Sequence, residues 1–275
     1  MNPAQIHIDR VHKIYAGEGG DVVALQDIRL DIAAGEFVCL LGPSGCGKST
    51  LLNAVAGFSL PTQGIIEVGG QPVRGPGPER GMVFQEYALF PWMTVAGNIA
   101  FALEVQPGRR RGERAAIHER VDELLALFGL RDFRDRFPKD LSGGMRQRVA
   151  IARVLAMDAP VMLMDEPFGA LDALTRRTLQ DELLRIWQRF GKTVLFVTHS
   201  IEEALYLADR IIVMTYRPGT LKRDQRVELP RPRDPADPAF NDLKRELSRL
   251  VMAEQMRHDE AEMGGGTSAR SSVQL

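Results

Sequence analysis

Cysteine is scarce in this chain, which has only Cys39 and Cys46 among its 275 residues. Cys39 lies in a predicted strand and Cys46 in a glycine-rich loop, so the two side chains are not expected to meet with the geometry that a disulfide bond requires. The sequence therefore excludes a small fold held together by disulfide bonds. It also fits a protein that works in a reducing compartment.

Net charge and long apolar segments are lacking as well. The chain carries 35 Lys and Arg residues against 36 Asp and Glu residues, which gives a formal net charge of −1. This balance argues against a protein that holds nucleic acid mainly through counterion release, although a local basic patch stays compatible with it. No run reaches the roughly 18 to 20 apolar residues that span a bilayer, and residues 1–10 lack the apolar core of a signal peptide. We therefore expect that any role of the chain at a membrane comes through a partner.

What the chain does contain is a glycine-rich loop over residues 42–50, with the sequence Gly-Pro-Ser-Gly-Cys-Gly-Lys-Ser-Thr. The spacing of Gly42 and Gly47 before Lys48 and Ser49 is that of a phosphate-binding loop. Glycines let backbone N–H groups close around a polyphosphate, Lys48 adds a positive charge, and Ser49 offers a hydroxyl to Mg²⁺. The loop therefore predicts a site for a nucleoside polyphosphate.

The segments around the loop support this interpretation. Residues 36–41 form an apolar, β-prone run before it, and residues 48–56 favour a helix that closes on Gly57. A strand, the loop and a helix thus follow in the order that directs a helix N-terminus at an anion. The loop residues expected to contact the nucleotide are Gly42, Pro43, Ser44, Gly45, Cys46, Gly47, Lys48, Ser49 and Thr50.

The N-terminal part of the chain is rich in predicted strands. Alternating apolar residues separated by glycine-rich turns predict them over residues 6–15, 22–32, 65–68 and 81–84. Tyr15 stands at the end of the first strand, where an aromatic ring could stack on a purine. From the residues alone, a tyrosine with no role in binding is an equally good interpretation of Tyr15.

A short aromatic segment follows, over residues 85–92. It begins with Gln85, contains Tyr87, Phe90 and Trp92, and is too interrupted by proline to form a helix. Such a loop predicts either an exposed apolar surface for a partner or aromatic packing between two subdomains. The residues alone leave both alternatives open.

Residues 92–157 are predicted to be mostly helical, which indicates a helical subdomain inserted into the sheet. In the last of these helices Ser142 is a suitable N-cap, and Gly143 and Gly144 occupy the first turn. Glycine in a helix costs about 1 kcal/mol relative to alanine. Close approach of a ligand to bare backbone amides at this helix start would explain that cost. Taken alone, an ordinary capped helix explains the same residues.

Two later strands bring polar residues to the edge of the predicted sheet. Residues 161–166 form an apolar run that ends in Asp165 and Glu166, as expected of a buried parallel strand. Neighbouring strand residues point to opposite sides, so we assign Asp165 to the Mg²⁺ sphere and Glu166 to orienting or deprotonating a water molecule. Residues 193–198 form another buried strand, and His199 follows it directly at the edge expected for the phosphate loop.

Together these features resemble the ATP-binding subunit of ABC transporters, over about residues 6–229. The Leu-Ser-Gly-Gly sequence ahead of the strand that ends in Asp165 and Glu166 is the most specific of the matches. The family's motifs occur in order, with Walker A at residues 42–49, the Q-loop at Gln85, the signature at residues 141–144, Walker B at residues 161–166, the D-loop at residues 170–172 and the switch histidine at His199.

The resemblance implies an α/β fold: a P-loop NTPase core with a RecA-like mixed sheet, an N-terminal antiparallel β subdomain and an inserted α-helical signature subdomain. It implies an ATPase with ATP and Mg²⁺ as cofactors, in which Tyr15 is the aromatic that stacks on adenine. The implied catalytic residues are Glu166, His199, Gln85 and Lys48, the implied Mg²⁺ ligands are Ser49, Gln85 and Asp165, and the further ATP contacts are Ser142, Gly143, Gly144 and Asp172.

The resemblance also implies partners. Two copies are expected to meet head to tail, so that the signature of one contacts ATP held by the other. A single ATPase unit without membrane spans is similar to an importer subunit at the cytoplasmic face of the cell membrane. Such a subunit works with transmembrane permease subunits and, through them, a solute-binding protein, with no nucleic acid partner expected. The alternative is a soluble ABC ATPase that acts on nucleic acid or the ribosome.

Three segments resemble one branch of these importers, the branch for nitrate, aliphatic sulfonates and taurine. They are residues 75–78, 85–92 and 230–235. We expect the transported compound to be one of these or a related small solute. No contact between these segments and the solute is implied.

The domain organisation is predicted from the resemblance and from the pattern of residues after it. We expect an ATPase domain over residues 1–235, with the helical subdomain at about residues 92–157. Phe240, Leu247 and neighbouring leucines form one apolar face of a predicted C-terminal helix over residues 236–258. Residues 259–275 read as a disordered tail.

Cys46 is unusual because it lies inside the phosphate loop. Backbone amides that attract anions, together with the charge of Lys48, can lower the pKa of a thiol. This suggests a reactive cysteine whose alkylation blocks ATP binding. The alternative is a small residue tolerated at a variable position of the loop.

Overall fold

The computed structural model describes residues 4–17, 20–105 and 114–265. The described residues of Met1–Gly75 and Phe196–Leu275 form one compact unit, and those of Pro76–Leu195 form a second. In chain order the elements are β1 (Ala4–Tyr15), β2 (Val22–Ala33), β3 (Phe37–Leu41), α1 (Lys48–Ala56), β4 (Gln63–Val68), β5 (Gln71–Pro72), β6 (Arg80–Val83), α2 (Val95–Glu104), α3 (Arg114–Leu127), α4 (Gly143–Ala156), β7 (Val161–Asp165), α5 (Ala173–Phe190), β8 (Thr193–Thr198), α6 (Ile201–Leu207), β9 (Arg210–Met214), β10 (Leu221–Arg226) and α7 (Pro238–Gly265).

The first unit begins with an antiparallel sheet in the order β2-β1-β4-β5. Its first two strands pair as far as Tyr15, which lies opposite Val22. Apolar residues such as Ile6 and Ile8 of β1 are fully buried on one face, because successive side chains of a strand point to opposite faces. The predicted antiparallel β subdomain is confirmed.

The first unit also contains mixed pairing, in the order β10-β9-β3-β8, where β8 begins in the second unit and ends in the first. β3 runs parallel to β9, from Val38 opposite Arg210 to Leu41 opposite Val213, and β9 pairs antiparallel with β10. Every residue of β3 is buried, which explains its unbroken apolar sequence. This central strand delivers the chain to Gly42, where the phosphate loop begins.

The second unit combines strands with most of the helices. Its strand order is β8-β7-β6, and β6 runs parallel to β7 from Arg80 opposite Val161 to Val83 opposite Met164. α4 packs against α2, α3 and β6. The predicted helical insertion is confirmed as α2, α3 and α4, which follow one another along the chain between β6 and β7.

The C-terminal helix α7 returns to the first unit, where it packs against α6 and β9. Phe240 and Leu247 are buried in this contact, as the apolar face predicted. The helix continues to Gly265, so the predicted boundary at residue 258 is wrong. Alanine, glutamate and methionine over residues 260–263 are good helix formers, and the helix ends only at the glycines. The rest of the predicted tail, residues 266–275, lies outside the described residues.

Within the described residues, none of the helices combines the length and the apolar character that crossing a membrane requires.

Candidate functional site

The phosphate loop, residues 42–50, occupies the tight turn from β3 into the first turn of α1, so all nine predicted contact residues lie together. Gly45 and Gly47 have positive φ angles of 73° and 98°, in the region that favours glycine. A Cβ atom at Gly47 would lie 2.8 Å from Leu25 Cδ2 and 3.0 Å from the carbonyl oxygen of Ala24. The loop backbone therefore packs directly on β2, and a larger residue at this position would need the structure to shift.

Lys48 is the first residue of α1 and is almost fully buried, with 5 % relative exposure. Its Nζ donates hydrogen bonds to the carbonyl oxygens of Gly42 (2.9 Å) and Pro43 (2.8 Å). The first N–H groups of any α-helix lack acceptors within the helix, and Gly47 provides no side-chain cap for α1. Backbone amides, the helix dipole and a buried ammonium group thus combine in one turn that suits a phosphate group.

The thiol of Cys46 is buried within the same turn. A Cβ atom at Gly42 would lie 2.9 Å from its Sγ, and Lys48 Nζ is 3.8 Å from it. Burial raises the pKa of the Cys46 thiol, and the charge of Lys48 opposes this without overcoming it. The predicted lowering of the thiol pKa is therefore wrong, because removal from water outweighs the nearby positive charge. A buried neutral thiol is not activated for alkylation.

Tyr15 and His199 are the other predicted site residues of the first unit, and both are exposed. Tyr15 ends β1 with 43 % relative exposure, and Lys13 Nζ lies 5.0 Å from the centroid of its ring. His199 directly follows β8, and the next residue, Ser200, caps α6 by accepting a hydrogen bond from the N–H of Glu203. Both side chains are therefore accessible to a ligand. Their roles stay predictions.

Asp165 and Glu166 lie at the end of β7 in the second unit, but they do not share its conformation. The strand ends at Asp165, and Glu166 has a positive φ of 41°. The expectation that the two residues alternate as strand neighbours is wrong, because the backbone turns at Glu166. A left-handed glutamate is strained, and strain of this kind clusters at functional sites. Its carbonyl oxygen accepts a hydrogen bond from the N–H of Gly169.

Gln85 and Glu166 converge on Gly169. A Cβ atom at Gly169 would lie 3.8 Å from Glu166 Oε2 and 3.9 Å from Gln85 Nε2. An amide and a carboxylate from separate strand ends thus face the same glycine, without a side chain between them. Two of the predicted catalytic residues therefore lie close to the same glycine.

The signature helix α4 begins as predicted. Ser142 is its N-cap and accepts a hydrogen bond from the N–H of Met145 at 3.3 Å. A Cβ atom at Gly144 would lie 2.7 Å from Thr175 Cγ2, and one at Gly143 would lie 3.2 Å from the hydroxyl of Tyr87. Close packing inside the second unit therefore explains part of the glycine content that the sequence attributed to a ligand.

Asp172 is the N-cap of α5 and accepts a hydrogen bond from the N–H of Thr175 at 3.0 Å. Hydrogen bonds from Thr175 to the carboxylate lower the pKa of Asp172. Next to this cap, the guanidinium of Arg176 donates to the carbonyl oxygens of Phe168 and Leu171. Asp172 and Arg176 thus fix the backbone of the D-loop, which is a role that the sequence had not indicated for either residue.

The aromatic segment over residues 85–92 has an exposed apolar end, and the packing given for its rings lies within the second unit rather than between two subdomains. Trp92 is 70 % exposed, while the ring of Phe90 packs against Trp92 and, edge to face, against Phe101, with centroids 5.5 and 4.7 Å apart. Tyr87 has a positive φ of 62°. The segment is a fixed loop with an exposed apolar end.

Two residues that hold this loop were missed from the sequence. Asn98 is fully buried, accepts a hydrogen bond from the N–H of Phe90 and donates to three carbonyl oxygens, including that of Phe90. Arg153 donates to the carbonyl oxygens of Tyr87 and Ala88, and its guanidinium lies over the ring of Phe90. Burial lowers the pKa of Arg153. A polar asparagine on the apolar face of α2 was the one available signal.

Comparison with known proteins assigns these features to a family. The family model described as "ABC transporter" matches residues 25–169. The taurine import ATP-binding protein TauB of Jannaschia sp. is 55 % identical over 210 residues, which cover 76 % of this chain and 76 % of that protein. The nitrate import ATP-binding protein NrtD of Synechocystis sp. is 44 % identical over 265 residues, covering 93 % of this chain and 98 % of that protein.

A solved structure agrees with this assignment. The dimeric ATP-binding cassette MJ0796, in a post-hydrolysis state bound to ADP and Pi, is 33 % identical to this chain and superposes with a TM-score of 0.71. The match covers 82 % of this chain and 99 % of that one. The predicted α/β fold of a P-loop NTPase is confirmed.

Proposed function

The chain belongs to the ABC transporter family of ATP-binding subunits, and on this premise we propose that it powers a multi-subunit importer of a small solute. The proposed solute class is nitrate, an aliphatic sulfonate, taurine or a related compound, because relatives that match most of the chain are named as taurine and nitrate import subunits. These relatives do not favour the alternative of a soluble ATPase that acts on nucleic acid or the ribosome. The proposed location is the cytoplasmic face of the cell membrane.

The observation that carries the proposal is the phosphate loop. Positive φ angles at Gly45 and Gly47, the buried ammonium of Lys48 and an uncapped helix start occur within nine residues. Each of these features favours a phosphate group. We infer that the loop holds the phosphates of ATP and that Tyr15, exposed at the end of β1, stacks on the adenine.

Glu166 is the proposed general base for hydrolysis. Its strained backbone and its position beside Gln85 at Gly169 support this role. Gln85 and His199 would sense the γ-phosphate, and Lys48 would offset its charge.

The proposed Mg²⁺ ligands are Ser49, Gln85 and Asp165, which offer a hydroxyl, an amide and a carboxylate. These are hard oxygen donors of the kind that Mg²⁺ prefers. When bound, the ion would offset negative charge on the ATP phosphates. Nζ of Lys48 is held in the loop by the carbonyl oxygens of Gly42 and Pro43.

A second copy of the chain is the proposed partner at the ATP site. Ser142, Gly143 and Gly144 begin α4 with little side chain, and Asp172 caps the neighbouring helix α5. In a head-to-tail pair these residues would contact ATP held by the other copy, so that neither copy alone completes the site. The dimeric relative with ADP and Pi bound supports the pairing of two copies.

The permease is the proposed partner at the aromatic loop. Trp92 exposes most of its ring, while Asn98 and Arg153 fix the backbone behind it. A rigid base with an exposed aromatic tip suits an apolar partner helix.

We also retain the proposed ATPase domain over residues 1–235, with a separate C-terminal helix.

The test is Glu166→Gln, which keeps the size of the side chain and removes its basicity. ATP turnover by the purified protein should fall by about 10²- to 10⁴-fold, while ATP binding persists and dimers accumulate on a sizing column. In vesicles that contain the permease, uptake of taurine or nitrate should stop. Glu119→Gln on the exposed surface of α3 is the matched control. Near-normal turnover by Glu166→Gln would refute the assignment of the base.

A further inference from the structure

A loop between β9 and β10, residues 215–220, packs against the phosphate loop. The N–H of Gly219 donates to the carbonyl oxygen of Ala24, and the carbonyl of Gly219 accepts from the N–H of Gln26. A Cβ atom at Gly219 would lie 2.3 Å from the carbonyl oxygen of Cys46. This loop, which we call the β9–β10 loop, therefore contacts both β2 and the backbone of the phosphate turn.

Arg217 extends from the β9–β10 loop to the phosphate loop. Its Nε donates a hydrogen bond to the carbonyl oxygen of Gly45 at 3.2 Å, and its Nη2 lies 3.6 Å from the position that a Cβ atom at Gly45 would occupy. Gly45 has a positive φ of 73°, in the region that favours glycine. The side chain of Arg217 is exposed, so a ligand in the loop can reach it.

This hydrogen bond fixes a peptide plane. The C=O of one residue and the N–H of the next point in opposite directions across a planar trans peptide bond. Holding the carbonyl of Gly45 on the side of Arg217 therefore holds the N–H of Cys46 on the opposite side. The guanidinium also adds a permanent positive charge at the loop, in addition to that of Lys48.

The C-terminal helix α7 holds the β9–β10 loop in turn. Glu254 is fully buried, and its carboxylate accepts hydrogen bonds from the N–H of Tyr216 at 2.9 Å and from Nζ of Lys222 at 2.5 Å. The ring of His258 stacks on the ring of Tyr216, with centroids 4.5 Å apart and planes 14° apart. The residue next to Arg217 is thus fixed by two side chains of α7.

We propose that Arg217 is a positioning residue of the phosphate loop, which orients the Gly45–Cys46 peptide for nucleotide phosphates, and that α7 keeps it in place through Tyr216. The proposal rests on the proposed binding of ATP by this loop. It adds a residue outside the glycine-rich motif, 172 positions away from Gly45 along the chain. It also gives the C-terminal helix an influence on nucleotide affinity.

The test compares Arg217→Met with Arg223→Met in the full-length protein. Both substitutions remove an exposed guanidinium from the region of β10 and keep an unbranched side chain, and Arg223 bonds only to surface groups of Gln225 and Glu246 among the described residues. The measurements are the Kd of a fluorescent ATP analogue, kcat and KM for ATP, and the melting temperature without nucleotide.

Arg217→Met should raise Kd and KM by about three- to ten-fold, the range expected for one hydrogen bond. The value of kcat should stay within about two-fold, because the bond is not to a reacting atom. The melting temperature without nucleotide should match that of Arg223→Met. Equal nucleotide affinities for the two variants would overturn the proposal while leaving ATP binding by the wild type intact. A wild type that does not bind the analogue would instead refute the proposed function.

The contribution of α7 is tested with His258→Ala, alone and combined with Arg217→Met. If α7 acts through Arg217, His258→Ala should weaken nucleotide binding by about two- to three-fold in the wild type and have no further effect beside Arg217→Met. Equal weakening in both backgrounds would overturn the link between α7 and Arg217.

Discussion

Two helices of this protein, α1 and α4, have glycines at their starts that we propose to contact ATP, yet the two helix starts are built differently. α1 follows Gly47, which has a left-handed backbone and offers no side-chain cap. α4 follows Ser142, which has an extended backbone and caps the N–H of Met145. Only in the first case does the backbone conformation itself demand glycine.

The difference shows that glycine in a first helical turn has more than one physical cause. Gly47 is required by its φ of 98° and by its contact with β2. Gly144 has no positive φ, but Thr175 of α5 leaves no room for a methyl group there. Gly143 differs from both, because a Cβ atom there would meet only the ends of two flexible side chains, at 3.2 Å, so a ligand can be the main reason for this glycine.

Of the three glycine substitutions, Gly47→Ala is expected to lower the unfolding free energy most. An alanine there incurs about 1–2 kcal/mol for the left-handed backbone and about 1–3 kcal/mol for overpacking against Leu25 and Ala24. Gly129→Ala is the matched control, because Gly129 has a φ of 64° with open space around its Cβ position. Urea unfolding should show a clearly larger loss of unfolding free energy for Gly47→Ala than for Gly129→Ala. Equal losses would mean that the contact with β2 contributes nothing.

A smaller effect is expected for Gly144→Ala, which should destabilise the protein by up to about 2 kcal/mol. Overpacking against Thr175 Cγ2 should outweigh the gain in helix propensity of about 1 kcal/mol. Thr175→Ser removes that methyl group and keeps the hydroxyl, so the double variant should recover the lost unfolding free energy. The absence of any recovery in the double variant would show that Gly144 is needed for another reason.

Much of the frame around the site was predictable, because local chemistry fixes it. The sequence placed α1 from Lys48 to a stop at Gly57 and a strand over residues 193–198, and the structure has the same bounds. A glycine with a φ of 82° ends α1, and an unbroken apolar run marks a buried parallel strand. Periodicity, caps and glycines are all properties of neighbouring residues.

What the sequence did not reveal depends on distant parts of the chain. The raised pKa of the Cys46 thiol follows from burial. The positive φ angle of Glu166 is a backbone property that no pattern of residues predicts. Asn98, Arg153 and Arg217 act on backbone carbonyl oxygens. Because every residue has a carbonyl group, the sequence does not indicate which carbonyl oxygen will accept a hydrogen bond from a given side chain.

Of the three glycine substitutions, Gly143→Ala is expected to change the unfolding free energy least. It also tests most directly whether packing or a ligand explains the glycines at the start of α4. Its Cβ atom would meet only the ends of two side chains, Leu171 Cδ2 and the hydroxyl of Tyr87, both at 3.2 Å. The gain of about 1 kcal/mol in helix propensity offsets this contact. Gly97→Ala in the first turn of α2 is the matched control, with contacts at 3.3 and 3.4 Å and a capping threonine.

Both variants should therefore unfold within about 1 kcal/mol of the wild type. If ATP bound to a second copy approaches the bare backbone of Gly143, only Gly143→Ala should lose ATPase activity, by at least about ten-fold, because a methyl group would stand between the phosphate and the amides. Full activity of Gly143→Ala would show that packing accounts for both glycines of α4. The composite ATP site would then have to rest on Ser142, Asp172 and the phosphate loop.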